Sequence, residues 1–210
     1  MQKIKWLFFD MGGTLVDETL SYIRWFENAA ELSCGMLTAE QIEKEYCAGM
    51  REGMPTVSGQ LKACGVEGVD TSLLYPSELD RPYPEAESVL KKLSVSYRLG
   101  IIANQNAGSE ERFRTYGLLH YFDIITASAE SGLKKPDPRI FMLALREAGC
   151  SARVAVMIGD RVDNDIRPAK ALNFTTVRIL QGYGALQPSE VPEDMPDFTI
   201  TSLQQLLDIF

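Results

Sequence analysis

Residues 4–15 read IKWLFFDMGGTL, an apolar run that ends at Asp10 and is followed by Gly12 and Gly13. A short aromatic and aliphatic run bounded by a turn indicates a strand that is buried on both faces. Four later runs have the same character and lie at 99–103, 124–127, 154–158 and 175–180. Helical patterns alternate with these runs, which is typical of a parallel sheet covered by helices. The sequence therefore predicts an α/β fold.

Two of the helical patterns have clear boundaries. Asp137 and Pro138 predict the N-cap and the first residue of a helix that Gly149 ends. The other pattern begins near residue 86, and its apolar face consists of Ala86, Val89, Leu90 and Leu93. Both helices have the length expected of right-handed crossovers between parallel strands.

The alternation stops between Asp17 and Pro82, where we find helical patterns and no convincing strand. Thr38 and Gln41 have the spacing of a capping box. The proline-rich segment 76–84, PSELDRPYP, predicts a linker back to the sheet. We therefore predict a discontinuous α/β core of residues 1–16 and 83–210, with a small all-helical cap at residues 17–82. One face of the first cap helix, which we expect to pack inside the cap, carries Tyr22, Trp25, Phe26 and Ala29.

The composition excludes several classes of protein. The chain has 210 residues, of which 45% are hydrophobic and 24% charged, so it is neither disordered nor a coiled coil. A net charge of −8 disfavours nucleic acid or an anionic membrane as the main partner, although one small anion can still bind a local basic patch. No apolar run approaches the length that spans a bilayer.

The histidine and the cysteines give no sign of a metal or redox site of their own. His120 is the only histidine, and Cys34, Cys47, Cys64 and Cys150 contain no CxxC pair. We expect His120, between a helix and a strand, to be a helix-end or packing histidine. We expect the cysteines to be reduced thiols that pack as small apolar groups, which favours a cytoplasmic location.

Charged side chains follow the predicted strands at three places, in FFDMGGTL (8–15), KKPDP (134–138) and VMIGDRVDND (156–165). The carboxyl ends of parallel strands face one crevice, so these residues can meet there. Each has an ordinary explanation alone, because Asp10 can cap a turn, Lys135 can be solvated, and Asp160 and Asp165 can cap a helix. Together, three carboxylates repel each other unless a cation such as Mg²⁺ lies between them. With Mg²⁺ and Lys135 the site is neutral and can accept a phosphoryl dianion.

The motifs DMGGTL (10–15), IIANQN (101–106), SGLKKPDPRIF (131–141) and IGDRVDND (158–165) occur in this order along nearly the whole chain. In these motifs the sequence resembles the haloacid dehalogenase-like superfamily of hydrolases, most of which are Mg²⁺-dependent phosphatases. The resemblance implies a Rossmann-like parallel sheet with the strand order 3-2-1-4-5. It also implies a cap inserted directly after the first motif, where the helical segment lies.

The resemblance also implies roles for individual residues. Asp10 matches the nucleophile, which forms an aspartyl-phosphate, and Lys135 matches the lysine that balances the charge of the nucleophile and the phosphoryl group. Asp160 matches a metal ligand. Asp165 matches a residue that either reaches the metal or orients its waters. The implied phosphate-binding backbone lies around Gly12, Gly13 and Asn104, and the implied metal ligands are Asp10, the carbonyl of Gly12, Asp160 and Asp165.

Two positions depart from the family pattern. Most phosphatases of the family have a general acid and base aspartate two residues after the nucleophile, and here that residue is Gly12. Loss of a positioned acid or base lowers a rate by about 10²- to 10⁴-fold. Ala103 stands where the family usually has a serine or threonine that donates a hydrogen bond to the phosphoryl group. A water, or the side chain of Gln105 or Asn106, could replace part of that bond.

Three functions remain open on the sequence alone. The first is a Mg²⁺-dependent phosphohydrolase that acts on a small phosphorylated metabolite, slowly or with a preference for good leaving groups. The second is a catalytically impaired relative that binds a phosphorylated ligand or partner. The third is a metal-independent 2-haloacid dehalogenase, which the apparent metal-binding aspartates disfavour. We favour the first because Asp10 is retained, and the sequence leaves the substrate and the oligomeric state open.

Overall fold

The computed structural model describes residues 3–52 and 57–210. The chain divides into two compact units, one of residues 1–16, 82–185 and 189–210, and the other of residues 17–81 and 186–188. The assignment of a catalytic role to the first unit and a cap role to the second remains a prediction. Within the described ranges, we find no helix that is long and apolar enough to cross a membrane.

The first unit contains a six-stranded sheet whose neighbouring strands are all parallel. Its strands are β1 (Trp6–Phe9), β4 (Arg98–Ala103), β5 (Ile124–Ala127), β6 (Ala155–Gly159), β7 (Thr175–Ile179) and β8 (Phe198–Ile200). Their spatial order is β5-β4-β1-β6-β7-β8, which confirms the predicted order 3-2-1-4-5 and adds a sixth strand at one edge. The sequence did not predict this edge strand, β8, because it has only three residues and two of them are exposed.

Helices cover both faces of this sheet, so the strands read as continuous apolar runs. Leu7 and Phe9 of β1 belong to one hydrophobic cluster, and Trp6 and Phe8 belong to a second cluster on the opposite face. The helices of this unit are α4 (Ala86–Leu93), α5 (Ser109–Thr115), α6 (Ser128–Ser131), α7 (Pro138–Ala148), α8 (Arg167–Ala171) and α9 (Leu206–Ile209). Helices α4 and α9 contribute to the first cluster, whereas α7 and α8 contribute to the second.

The predicted helix boundaries at α7 and the predicted apolar face of α4 are confirmed. Asp137 accepts a hydrogen bond from the backbone N–H of Arg139, Pro138 begins α7, and Gly149 ends it in a left-handed conformation. All four residues predicted on the buried face of α4 are buried, namely Ala86, Val89, Leu90 and Leu93.

The second unit is built from α1 (Thr19–Leu32), α2 (Ala39–Glu52) and α3 (Val57–Ala63). The predicted capping box is present, because Gln41 N–H donates to Thr38 Oγ1 and Thr38 N–H donates to Gln41 Oε1. The predicted aromatic face packs inside this unit, where the rings of Tyr22, Trp25 and Phe26 all lie within 6 Å of the Tyr46 ring, between centroids.

Two expectations about this part of the chain were wrong in detail. The segment predicted to lack strands begins and ends with β2 (Val16–Asp17) and β3 (Arg81–Pro82), which pair as a separate two-stranded sheet. Such short strands have no periodicity that a sequence could show. Cys34 is exposed rather than packed, and its φ of 53° shows that it lies in a turn. The remaining cysteines are half-buried free thiols, as expected.

Candidate active site

Asp10 and Asp160 lie at the ends of neighbouring strands. Asp10 follows β1 and Asp160 follows β6, and the register pairs Phe9 with Ile158. The backbone N–H of Asp10 continues the ladder by donating to the carbonyl of Ile158 at 2.8 Å. The sheet order reverses at β1, where ligand sites of parallel sheets characteristically occur. The topology thus brings two carboxylates that are 150 residues apart in sequence to one edge of the sheet.

Asp165 reaches the same place from a turn of π-helix at Val162–Ile166, directly after Asp160. One carboxylate oxygen from each of the three aspartates can be chosen so that all lie within 4.8 Å of one another. Asp165 is fully buried and Asp160 is 5% exposed. The turn therefore returns the chain so that residues five apart in sequence point their carboxylates to one cluster.

Lys135 lies between two of these carboxylates. Its Nζ donates to Asp165 Oδ1 at 2.6 Å and is 2.7 Å from Asp10 Oδ1. Burial opposes the charged form, but the attraction of Asp10 and Asp165 and their hydrogen bonds outweigh it, so the pKa of Lys135 lies above its ordinary value. The ammonium group is therefore held as a fixed positive charge beside the predicted nucleophile.

Asn104 holds the backbone of this lysine. Its side-chain Oδ1 accepts from the N–H of Lys135 at 2.7 Å, and its Nδ2 donates to the carbonyl of Lys135 at 2.9 Å. The sequence predicted a backbone role for Asn104 in phosphate binding, which remains a prediction, and it missed this side-chain role. An asparagine that follows a strand end is the available signal, but its partner is 31 residues away in sequence.

The two glycines after Asp10 differ in conformation. Gly13 has a φ of 65°, and a Cβ placed on it would lie 2.5 Å from Asp160 Oδ2. This position therefore needs glycine both for its left-handed backbone and for the close approach of the aspartate. Gly12 forms an isolated bridge with Val16 and is half-buried. Its predicted roles as a carbonyl ligand and an amide donor are backbone roles that remain predictions.

The chemistry of the cluster suits a hard divalent cation. Three carboxylates face one ammonium group, so negative charge is in excess when all are ionised. Burial and the charge of Asp10 raise the pKa of Asp165, although Lys135 opposes this shift. A cation among the oxygens would relieve this repulsion, and Mg²⁺ prefers oxygen ligands of this kind. The donor set of Asp10, Asp160 and Asp165 therefore fits the predicted Mg²⁺.

Three further residues of the first unit have their own surroundings. Arg161 forms a two-point ion pair with Asp163, at 2.9 and 2.6 Å. His120 is exposed rather than packed, lies in a short 3-10 turn with its ring tilted against that of Tyr121, and precedes β5, so it lies at the end of the sheet opposite to the aspartates. Ala103 is the buried last residue of β4 and carries no hydroxyl group.

The sequence is similar to those of known hydrolases. The family model described as haloacid dehalogenase-like hydrolase matches residues 7–179. A glyceraldehyde 3-phosphate phosphatase from Methanothermobacter thermautotrophicus is 30% identical, and the alignment covers 98% of this chain and 99% of that protein. A second protein of that name, from Methanocaldococcus jannaschii, is 39% identical over 61% of this chain. That alignment spans 56% of the relative, a little over half of its length.

Solved structures show the same fold. A crystal structure from Haemophilus somnus, described as a predicted phosphoglycolate phosphatase, superposes with a TM-score of 0.77. The two chains are 18% identical, and the alignment covers 100% of this chain and 99% of the other. The fold is therefore shared with proteins of distant sequence.

Proposed function

Because the chain belongs to the haloacid dehalogenase-like hydrolase family, we propose that it is a Mg²⁺-dependent phosphohydrolase that acts through an aspartyl-phosphate on Asp10. The observation that carries the proposal is the buried cluster in which three carboxylates from two strand ends meet and Lys135 contacts two of them. A metal-independent dehalogenase would have no use for three converging carboxylates, so we do not favour that alternative.

Asp10 supplies the nucleophile. A carboxylate oxygen attacks phosphorus, and the new O–P bond forms as the bond to the leaving oxygen breaks. A water then attacks the phosphorus of the aspartyl-phosphate, which releases phosphate and restores Asp10. Splitting one transfer into two steps is the advantage of covalent catalysis. Lys135 lies 2.7 Å from Asp10 and offsets negative charge as the phosphoryl group approaches.

The residues that would hold Mg²⁺ are Asp10, the carbonyl of Gly12 and Asp160. A bound Mg²⁺ supplies charge neutralisation at the phosphoryl oxygens. Asp165 accepts from Lys135 Nζ at 2.6 Å with one oxygen and from the N–H of Arg161 at 3.0 Å with the other. Besides its predicted role at the metal, as a ligand or through the metal's waters, Asp165 therefore positions Lys135.

Gly12 determines which leaving groups the site can expel. The leaving oxygen takes the electron pair of the broken bond and needs a proton when it is an alkoxide. Gly12 offers no side chain to donate one, so acyl and aryl phosphates, whose leaving groups are weakly basic, should react fastest. The relatives named glyceraldehyde 3-phosphate phosphatase suggest a small phosphorylated metabolite as the substrate. The net charge of −8 supports a small molecule rather than nucleic acid or a membrane as the partner.

A second candidate function is that of a catalytically impaired binder of a phosphorylated ligand. Gly12 and Ala103 favour it, because both lack the side chain that the family usually uses at those positions. The charged residues of the site would still bind a phosphoryl group in such a protein. Calorimetry would then detect binding of a phosphorylated ligand in Mg²⁺ without release of phosphate.

We expect the protein to release phosphate from acetyl phosphate and p-nitrophenyl phosphate in the presence of Mg²⁺ and to lose this activity on chelation. Activity should be lower with glyceraldehyde 3-phosphate, an alkyl phosphate, for want of a proton donor. Steady-state release of inorganic phosphate, measured with added Mg²⁺ and with EDTA, checks both statements. Release that is unaffected by EDTA would contradict the metal dependence, and binding without release would favour the second candidate.

Asn104→Ala should lower kcat by about 10- to 100-fold, because Lys135 would lose the two hydrogen bonds that fix its backbone. The substrate KM should change less than kcat, since the lysine acts on charge that develops in the transition state. The matched control is Asn28→Ala, which removes a side-chain hydrogen bond to the carbonyl of Leu74 in the second unit. A loss of stability in Asn104→Ala with kcat unchanged would show that the asparagine is structural alone.

A further inference from the structure

Arg178 is a buried arginine in the interior of the sheet. Arg178 lies on β7 and is 3% exposed. The register of the sheet pairs it with Gly159, the residue before Asp160. A buried guanidinium is costly, because it gives up hydration and cannot lose its charge at neutral pH. Burial lowers the pKa of Arg178, and the nearby Asp160 and Asp194 oppose that shift. We therefore expect the buried guanidinium of Arg178 to have a role other than filling space in the core.

The guanidinium of Arg178 links three separate segments of the chain. Its Nε donates to the backbone carbonyl of Asp160 at 3.2 Å, and its Nη2 donates to the carbonyl of Gly184 at 3.0 Å. Its Nη1 lies 3.3 Å from Ser189 Oγ and donates to it. The planar fork of an arginine suits several acceptors in fixed directions, which a lysine cannot match. Arg178 therefore ties the end of β6 to the loop that follows β7.

That loop packs against the Asp160 carboxylate. A Cβ placed on Gly184 would lie 1.9 Å from Asp160 Oδ2, and one placed on Gly13 would lie 2.5 Å from the same oxygen. The backbones of the two glycines thus lie against the same carboxylate oxygen. A side chain introduced at either position would displace that oxygen. The orientation of Asp160 depends on where the Gly184 backbone lies, and Arg178 holds that backbone.

We propose that Arg178 is a positioning residue for the divalent cation, which acts by fixing the backbone of Asp160 and the Gly184 loop that confines its carboxylate. This inference rests on the proposed function, because it concerns the same metal site. Arg178 itself touches neither substrate nor metal in this account. Its substitution should change the affinity for the cation first and the chemical step only through that affinity.

Arg178→Lys should weaken Mg²⁺ binding by about 10- to 100-fold, the usual effect of removing a group that orients a metal ligand. Isothermal titration calorimetry with Mg²⁺ alone, on protein shown to be folded by circular dichroism, measures this directly. At saturating Mg²⁺, kcat and the substrate KM should return close to those of the unchanged protein. The matched control is Arg98→Lys, because Arg98 is an exposed strand arginine paired with Asp123.

Gly184→Ala provides a test that does not alter the guanidinium, should Arg178→Lys fail to fold. Its Cβ would displace the Asp160 carboxylate, so we expect a comparable loss of Mg²⁺ affinity. Unchanged affinity in a folded Arg178→Lys, or in Gly184→Ala if the first variant does not fold, would overturn the inference while leaving the proposed function intact. If the unchanged protein takes up no Mg²⁺, both the inference and the proposed metal dependence are overturned.

Discussion

Asp10→Asn is expected to abolish the release of phosphate, with a fall in kcat of about 10⁴- to 10⁶-fold. The amide has nearly the shape of the carboxylate but is a poor nucleophile, so no aspartyl-phosphate forms. Lys135 keeps its 2.6 Å contact with Asp165, so the cluster retains an ion pair. The measurement is phosphate release from acetyl phosphate at saturating Mg²⁺. Mass spectrometry of protein quenched during turnover tests for the aspartyl-phosphate.

The matched control for this variant is Asp123→Asn. Asp123 also belongs to an ion pair, with Arg98, but it precedes β5 and so lies at the opposite end of the sheet from Asp10. Its substitution should leave kcat within the range of the unchanged protein. If Asp10→Asn retained substantial release, the nucleophile would have to be another group, and the covalent mechanism would be wrong.

The sheet could be predicted from the sequence because its signals are local and strong. The run from Trp6 to Phe9 is apolar at every position since β1 is buried on both faces, and the same holds for all of β6 and for β4 after Arg98. The strand Phe198–Ile200 could not be predicted, because an edge strand of three residues with one buried position has no run to detect. The pairing of β2 with β3 was hidden for the same reason.

The residues of the candidate site likewise form two groups, one that the sequence predicted and one that it did not. Asp10 and Asp160 were predicted because they directly follow apolar runs whose ends meet at one edge of the sheet, and Lys135 and Asp165 because they lie in motifs that resemble those of the family. The supporting residues were not predicted, since their signals are not local. Asn104 acts on a backbone 31 residues away, and Arg178 is a charge inside a strand whose partners lie in other segments.

Gly12→Asp is expected to raise the turnover of glyceraldehyde 3-phosphate by about 10²- to 10⁴-fold, the usual contribution of a positioned general acid and base. Position 12 is where most phosphatases of the family have their acid and base aspartate, so we expect a carboxylate there to reach the leaving oxygen. Turnover of acetyl phosphate should rise less, because its leaving group needs little protonation and only the hydrolysis of the aspartyl-phosphate would gain from the added base. The ratio of the two rates is therefore the decisive measurement, and it cancels differences in the amount of active protein.

Gly12→Asn separates proton transfer from the other effects of a side chain at this position. The amide has almost the same volume as the carboxylate and can donate hydrogen bonds, but it cannot exchange a proton near neutral pH. If the missing acid limits the rate, the aspartate variant should gain activity on the alkyl phosphate and the asparagine variant should not. Gly13 is unsuitable for such a comparison, because its φ is 65° and its Cβ would meet Asp160 Oδ2. An equal gain in both variants at position 12, or no gain in either, would mean that protonation of the leaving group does not limit turnover.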